Sequence, residues 1–148
     1  MAGPKPPGMA PGSADDTEAQ FYEALQQGDI EKLMAVWSDD DEIVCVHPGG
    51  PRAVGAATIR ASFEAMFANG VIDVHPEKVH RVQTHASAVH SLLERIQVRT
   101  AEGPRWGWLI ATNVYVKTTQ GWRLVVHHAS PGTASEMQEA TAGAGVLH

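Results

Sequence analysis

The spacing of apolar residues changes once along this chain, and that change restricts the folds open to it. Up to residue 68 apolar positions recur every three or four residues, as on one face of a helix; from Val71 onward they alternate, as along a strand. Helices and strands collected in separate blocks predict an α+β domain whose helices close one side of a curved antiparallel sheet.

In the helical block, Thr17 and Gln20 have capping-box spacing, Phe21, Ala24 and Leu25 share one face, and Gly28 is placed as the stop. Asp29 then caps a second helix in which Ile30, Leu33, Met34 and Trp37 form a stripe, so the two helices make a hairpin. A short strand over 42–47 ends at Pro48-Gly49-Gly50-Pro51, and a third helix spans 57–68, with Ile59, Phe63, Met66 and Phe67 on one face. Strands are predicted over 71–84, 87–100, 105–118 and 121–129, with Gly103-Pro104 and Gln120-Gly121 as turns. Strict alternation puts His90, Leu92, Glu94 and Ile96 on one face, and likewise Trp122, Leu124, Val126 and His128. Both faces of these strands carry apolar residues, which predicts helices on one face and a second subunit, hence a homodimer, on the other.

A chain of 148 residues, 43% apolar and 19% charged, suits one folded domain, expected over 15–131. Residues 1–14, rich in Pro, Gly and Ala, read as a flexible leader within which Met9 is a second candidate start. Residues 132–148 read as a polar tail, frayed or with a short helix near Ser135 to Ala140. The net charge is -6 and the arginines are scattered from Arg52 to Arg123, which speaks against nucleic acid, whose binding needs clustered cations. There is no signal-like apolar segment and no run approaching the roughly 18 apolar residues of a membrane span, so a cytoplasmic protein without a membrane partner is expected. The lone Cys45, in the run Ile43 to Val46, has packing as its natural role.

Among residues that could carry chemistry, Glu94 lies between Leu92 and Ile96, where a carboxylate facing a core must be paired or protonated, as acid-base chemistry uses; the equal alternative is an exposed face, with Arg95 or Arg99 marking a solvated edge. His128 extends an apolar strand face and could orient a ligand or move a proton, or serve as a hydrogen-bonded structural group. Trp106 and Trp108 project from one strand face as an aromatic wall for a planar ligand, for core packing or for an interface; Trp37 offers the same choices. Asn113 could donate to a ligand oxygen or make a structural bond. Eight histidines invite a metal site, but there is no HExxH and no Cys-rich set, and the adjacent His127 and His128 point to opposite faces unless a bulge intervenes, so no metal is expected. No nucleophile elbow and no phosphate-cradling loop is present.

The segment FYEALQQGDIEKLMAVWSDDDEIVCVHPGG, a Gly-led helix after it, and WGWLIATNVYVKTTQGWRLVVHHASP together resemble the SnoaL-like branch of the NTF2-like superfamily. The likeness covers about residues 17–131 and is most specific at Asp29 and Trp37, at His47-Pro-Gly-Gly, and at Gly-Trp-Arg followed by His-His-Ala-Ser-Pro. It implies a cone of helices on a curved sheet, commonly a homodimer, with a small-molecule pocket inside. Neither the Tyr and Asp pair of the ketosteroid isomerases nor the Asp-Arg-Asp set of the epoxide hydrolases has a counterpart here, so the likeness implies the pocket and not the reaction. Two functions are therefore expected as alternatives. One is a cofactor-independent lyase or isomerase acting on a small, largely apolar carbonyl compound, with His128 or Glu94 as acid-base and Asn113 or His47 polarising an oxygen. In it Trp37, His47, Phe67, Trp106, Trp108 and Asn113 contact the ligand. The other is a noncatalytic ligand-binding or dimerisation module.

Overall fold

A computed structural model describes residues 12–133 together with Ser135 and Met137, apart from the side chains of 98–100. The expected leader, but for its last residues, and most of the expected tail helix lie outside the described residues. Helix α1 (Ala14–Gln27) is capped by Ser13, whose Oγ accepts from the Asp16 amide at 3.1 Å, four residues before the predicted cap. Asp15 and Asp16 in its first turn complement the positive end of the helix. Thr17 is instead buried, donating to carbonyls of Ser13 and Trp122. Gly28 ends α1 in the left-handed region at φ 67°, and Asp29 caps the short α2 (Ile30–Ala35) through Lys32 N at 3.0 Å, both as predicted. Helix α3 (Ala56–Phe67) follows Gly55. No helix among the described residues is long and apolar enough to cross a membrane.

Six strands form one sheet: β1 (Val44–Val46), β2 (Arg52–Val54), β3 (Val74–Gln83), β4 (Ser87–Thr100), β5 (Gly103–Thr118) and β6 (Gly121–Pro131), in the order β2-β1-β6-β5-β4-β3. The sheet is mixed, not purely antiparallel, because β1 runs parallel to β6 in the register Val44↔Val126 to Val46↔His128. β2 has no counterpart among the predicted strands, since three residues carry no readable period. Gly103 and Pro104 belong to β5 instead of to the turn, which is Ala101-Glu102.

Each long strand turns one face toward the helices, and buried Phe21, Leu33, Trp37, Ile59 and Phe63 pack there with Leu92, Ala111 and Leu124. Two irregularities break the pleat. In β3 the register to β4 shifts between Glu77 and His80, where Lys78 sits at φ 54°. In β6, Val126 faces Val114 but Leu124 faces Tyr115, so Val125 is an extra, bulged residue. On the outer face, strand pairing aligns one valine from every strand in a single row: Val54, Val44, Val126, Val114, Val89 and Val82. Three of them, Val54, Val89 and Val82, are 39%, 38% and 71% exposed.

Candidate acid-base site

Glu18 and Tyr22 lie one turn apart on the buried face of α1, where they meet a row of polar side chains, His90, Asn113 and His127, that crosses β4, β5 and β6. Three donors converge on Oε2 of Glu18: Nδ1 of His90 at 2.9 Å, Nδ2 of Asn113 at 3.2 Å and the Tyr115 hydroxyl at 2.7 Å. Tyr22 donates its hydroxyl proton to Oε2 of Glu94 at 2.6 Å and accepts from Nδ2 of Asn113 at 3.0 Å. Oδ1 of Asn113 lies 2.6 Å from Nδ1 of His127, and Nε2 of His127 lies 4.0 Å from Oε2 of Glu94. All seven side chains are buried, so the set is held in a medium where a hydrogen bond is strong and an unmatched polar atom is costly.

Burial shapes the charges. It raises the Glu94 carboxyl from the usual 4.5 to about 7; the Tyr22 hydrogen bond opposes the rise and the nearby Glu18 carboxylate adds to it. It pushes the His127 imidazole down to about 3, helped by the neighbouring His47 and His128, so this ring is neutral at ordinary pH. The Tyr22 and Tyr115 hydroxyls are held well above 10, first by burial and then by the charges of Glu94 and Glu18 respectively. The Cys45 thiol is pushed up to about 12, chiefly by burial, and is therefore an inert packing group at neutral pH.

Glu94 and His127 form the polar part of a recess of about 50 Å³ whose walls come mainly from Leu25, Phe63, Ile72 and Leu109. His47 also lines it, with its ring edge on Phe63. Ser62 gives its hydroxyl proton to the Ile59 carbonyl at 2.7 Å, so the 3.0 Å contact from His47 Nε2 to Ser62 Oγ has the ring as donor. Burial lowers the His47 pKa, which keeps that ring neutral as well.

The sequence pattern of the SnoaL-like domain matches residues 15–134. This chain belongs to the SnoaL-like family. Among solved structures, this SnoaL-like protein is similar to a proposed calcium/calmodulin-dependent protein kinase type II association domain from Thiobacillus denitrificans. The two are 31% identical over 87% of this chain and all of that one, with a TM-score of 0.76. It is also similar to a proposed dehydratase of the NTF2-like family from Streptomyces avermitilis, at 29% identity over 80% of this chain and 93% of that one, TM-score 0.72. The CaMKII hub of S. rosetta, at 20% identity over 83% of this chain and all of the hub, shares the fold with a TM-score of 0.65. No curated protein sequence matches the chain.

The sequence-predicted residues of this SnoaL-like domain divide between the two sides of the sheet. Glu94 and His47 line the recess, and Asn113 lies behind it, engaged in the buried network. Phe67 packs on Phe63, one ring removed from the recess. Trp37 is buried in the core against Phe21. His128, Trp106 and Trp108 lie away from the recess, on the other face of the sheet. The bulge at Val125 interrupts the alternation that aligned His128 with Leu124; it turns His127 inward and leaves His128 exposed on the outer face, opposite Thr112. Trp106 and Trp108 pair with Gln97 and Arg95 on that same outer face, where Arg95 stacks on the Trp106 ring at 4.3 Å.

Sequence reasoning missed Glu18, Tyr22, Tyr115 and His127. The first two had a readable signal, a carboxylate and a phenol in phase with Phe21 and Leu25 on a helix face bound for the core. His127 had none, because a bulge leaves no mark in hydrophobic alternation.

Proposed function

We propose that the recess performs general acid-base chemistry, without a cofactor, on the reacting end of a small, largely apolar carbonyl compound, as a lyase or isomerase does. The observation that carries this is a buried carboxyl titrating near 7 that faces a neutral imidazole nitrogen across 4.0 Å inside an apolar recess. Near neutral pH a large share of Glu94 is ionised and can take the proton from the carbon next to the carbonyl. The electron pair of that C–H bond becomes the enolate, and protonated Glu94 returns the proton to carbon, or to a leaving hydroxyl that departs as water. Tyr22, donating to Glu94, holds the carboxyl in place through both halves of the cycle. His127, neutral, is a second acceptor beside it. The likeness to a proposed dehydratase supports the same class of chemistry.

Proton exchange tests this without knowledge of the natural substrate. A panel of small ketones and enones in D₂O, followed by proton NMR, is expected to include compounds whose α-protons are lost at a protein-dependent rate. Glu94→Gln is expected to slow that exchange by about 100-fold or more, the usual worth of a positioned acid-base group. Absence of protein-dependent exchange across the panel would remove the proposal.

A second reading concerns assembly and rests on a different observation, the outer valine row. We propose that a second copy of this chain covers that face, making a homodimer; the likeness to association and hub domains supports it.

A further inference from the structure

Asn113 presents two chemically different ends, and its neighbours decide which way they point. Glu18 accepts from His90 and Tyr115 at the same Oε2 that meets the Asn113 amide, so as a carboxylate it offers that amide only an acceptor. The NH₂ end must therefore face Glu18. The Tyr22 hydroxyl, whose own proton goes to Glu94, is likewise an acceptor for the same NH₂. The carbonyl end is left for His127, whose Nδ1 lies 2.6 Å away and must carry the proton. A neutral imidazole protonated at Nδ1 has its lone pair on Nε2, the nitrogen that faces Glu94 at 4.0 Å. Reversal of the amide would reverse the tautomer and set an N–H against the carboxyl.

We propose that Glu18, which does not line the recess, is a positioning residue that fixes the tautomer of His127 through the Asn113 amide, so that an acceptor nitrogen faces Glu94. The acid-base reading of the recess gives this its purpose, and the inference rests on that reading for its function, but the tautomer is measurable without any turnover. Long-range proton-nitrogen NMR of the full chain labelled with ¹⁵N-histidine distinguishes the pyrrole-like nitrogen from the pyridine-like one. In the wild type Nδ1 of His127 is expected to be pyrrole-like and Nε2 pyridine-like; the reverse assignment overturns the proposal, whether or not the protein exchanges any α-proton.

Two variants locate the determinant. In Glu18→Met, which removes the acceptor, the two shift types are expected to mix or swap; a folded Glu18→Met protein that keeps Nδ1 pyrrole-like overturns the proposal. In Tyr22→Phe, which removes the other acceptor for the Asn113 amide, Glu18 alone must hold the amide, so the wild-type shift pattern is expected to persist. A swap there would assign the control to Tyr22 and overturn the proposal, so the question is decided even where Glu18→Met does not fold.

Discussion

Glu94 and His127 sit side by side with their proton affinities displaced in opposite senses. The native Glu94 holds its proton up to about 7 where an unfolded one releases it near 4.5, so between those values the folded state binds more protons and stability falls as pH rises. The native His127 refuses a proton down to about 3 where an unfolded one takes it up near 6.5, so its contribution to stability grows with pH over that span. Where the two windows overlap the slopes cancel, each being about 1.4 kcal/mol per pH unit. Glu94→Gln is expected to unmask the imidazole: between about pH 5 and about pH 6.5 its unfolding free energy in urea should climb by about 2 kcal/mol while that of the wild type stays nearly level. Parallel profiles would show that the carboxyl is not displaced. Glu94 was legible in the sequence because a carboxylate between Leu92 and Ile96 on an alternating strand has to face either solvent or core. His127 was not, since adjacent histidines on a strand are told apart only by the exact count of residues before them.

At the level of elements, the ends of helices were the most legible parts, because caps act within four residues. Gly28 and Asp29 were placed correctly on that ground, whereas the start of α1 went to Thr17 because Ser13 stood in what read as a flexible leader. Gly28→Ala is expected to lower stability by about 1 to 2 kcal/mol, for two reasons: its φ of 67° is unfavourable to any residue with a Cβ, and that Cβ would stand 3.1 Å from the Val71 side chain. Thermal unfolding indistinguishable from wild type would contradict both. The bulged β6 and the three-residue β1 and β2 were illegible or only partly legible for other reasons: the parallel partner of β1 lies about eighty positions further on, the bulge in β6 shows only in its register against β5, and three residues are too few to carry a period.

For the whole molecule, the α+β cone followed from the single switch in period, while the mixed character of its sheet did not. Apolar character on the outer face was also foreseen, though not its order as one valine per strand. An isologous pairing of that row would bring each valine against its counterpart's row, so one exposed member suffices to test it. Light scattering is expected to give a dimer for the wild type, and Val89→Glu, at a position already 38% exposed and so tolerant in the single chain, is expected to weaken association at least tenfold. A monomeric wild type at micromolar concentration would leave the outer face without this partner.

The parallel seam between β1 and β6 has its own consequence for synthesis. The residues of β1 leave the ribosome about eighty positions ahead of the strand that completes them, and Ser38 N and Val36 O likewise wait for Leu124. Until β6 is made, α1 lacks the part of its seat that Trp122 and His127 supply, and β1 with β2 is a two-stranded ribbon with an open edge, too small to hold alone. The β3-β4-β5 meander, built from neighbouring strands, is free to form earlier. The first segment of this domain thus stays unfinished until its last strand is made.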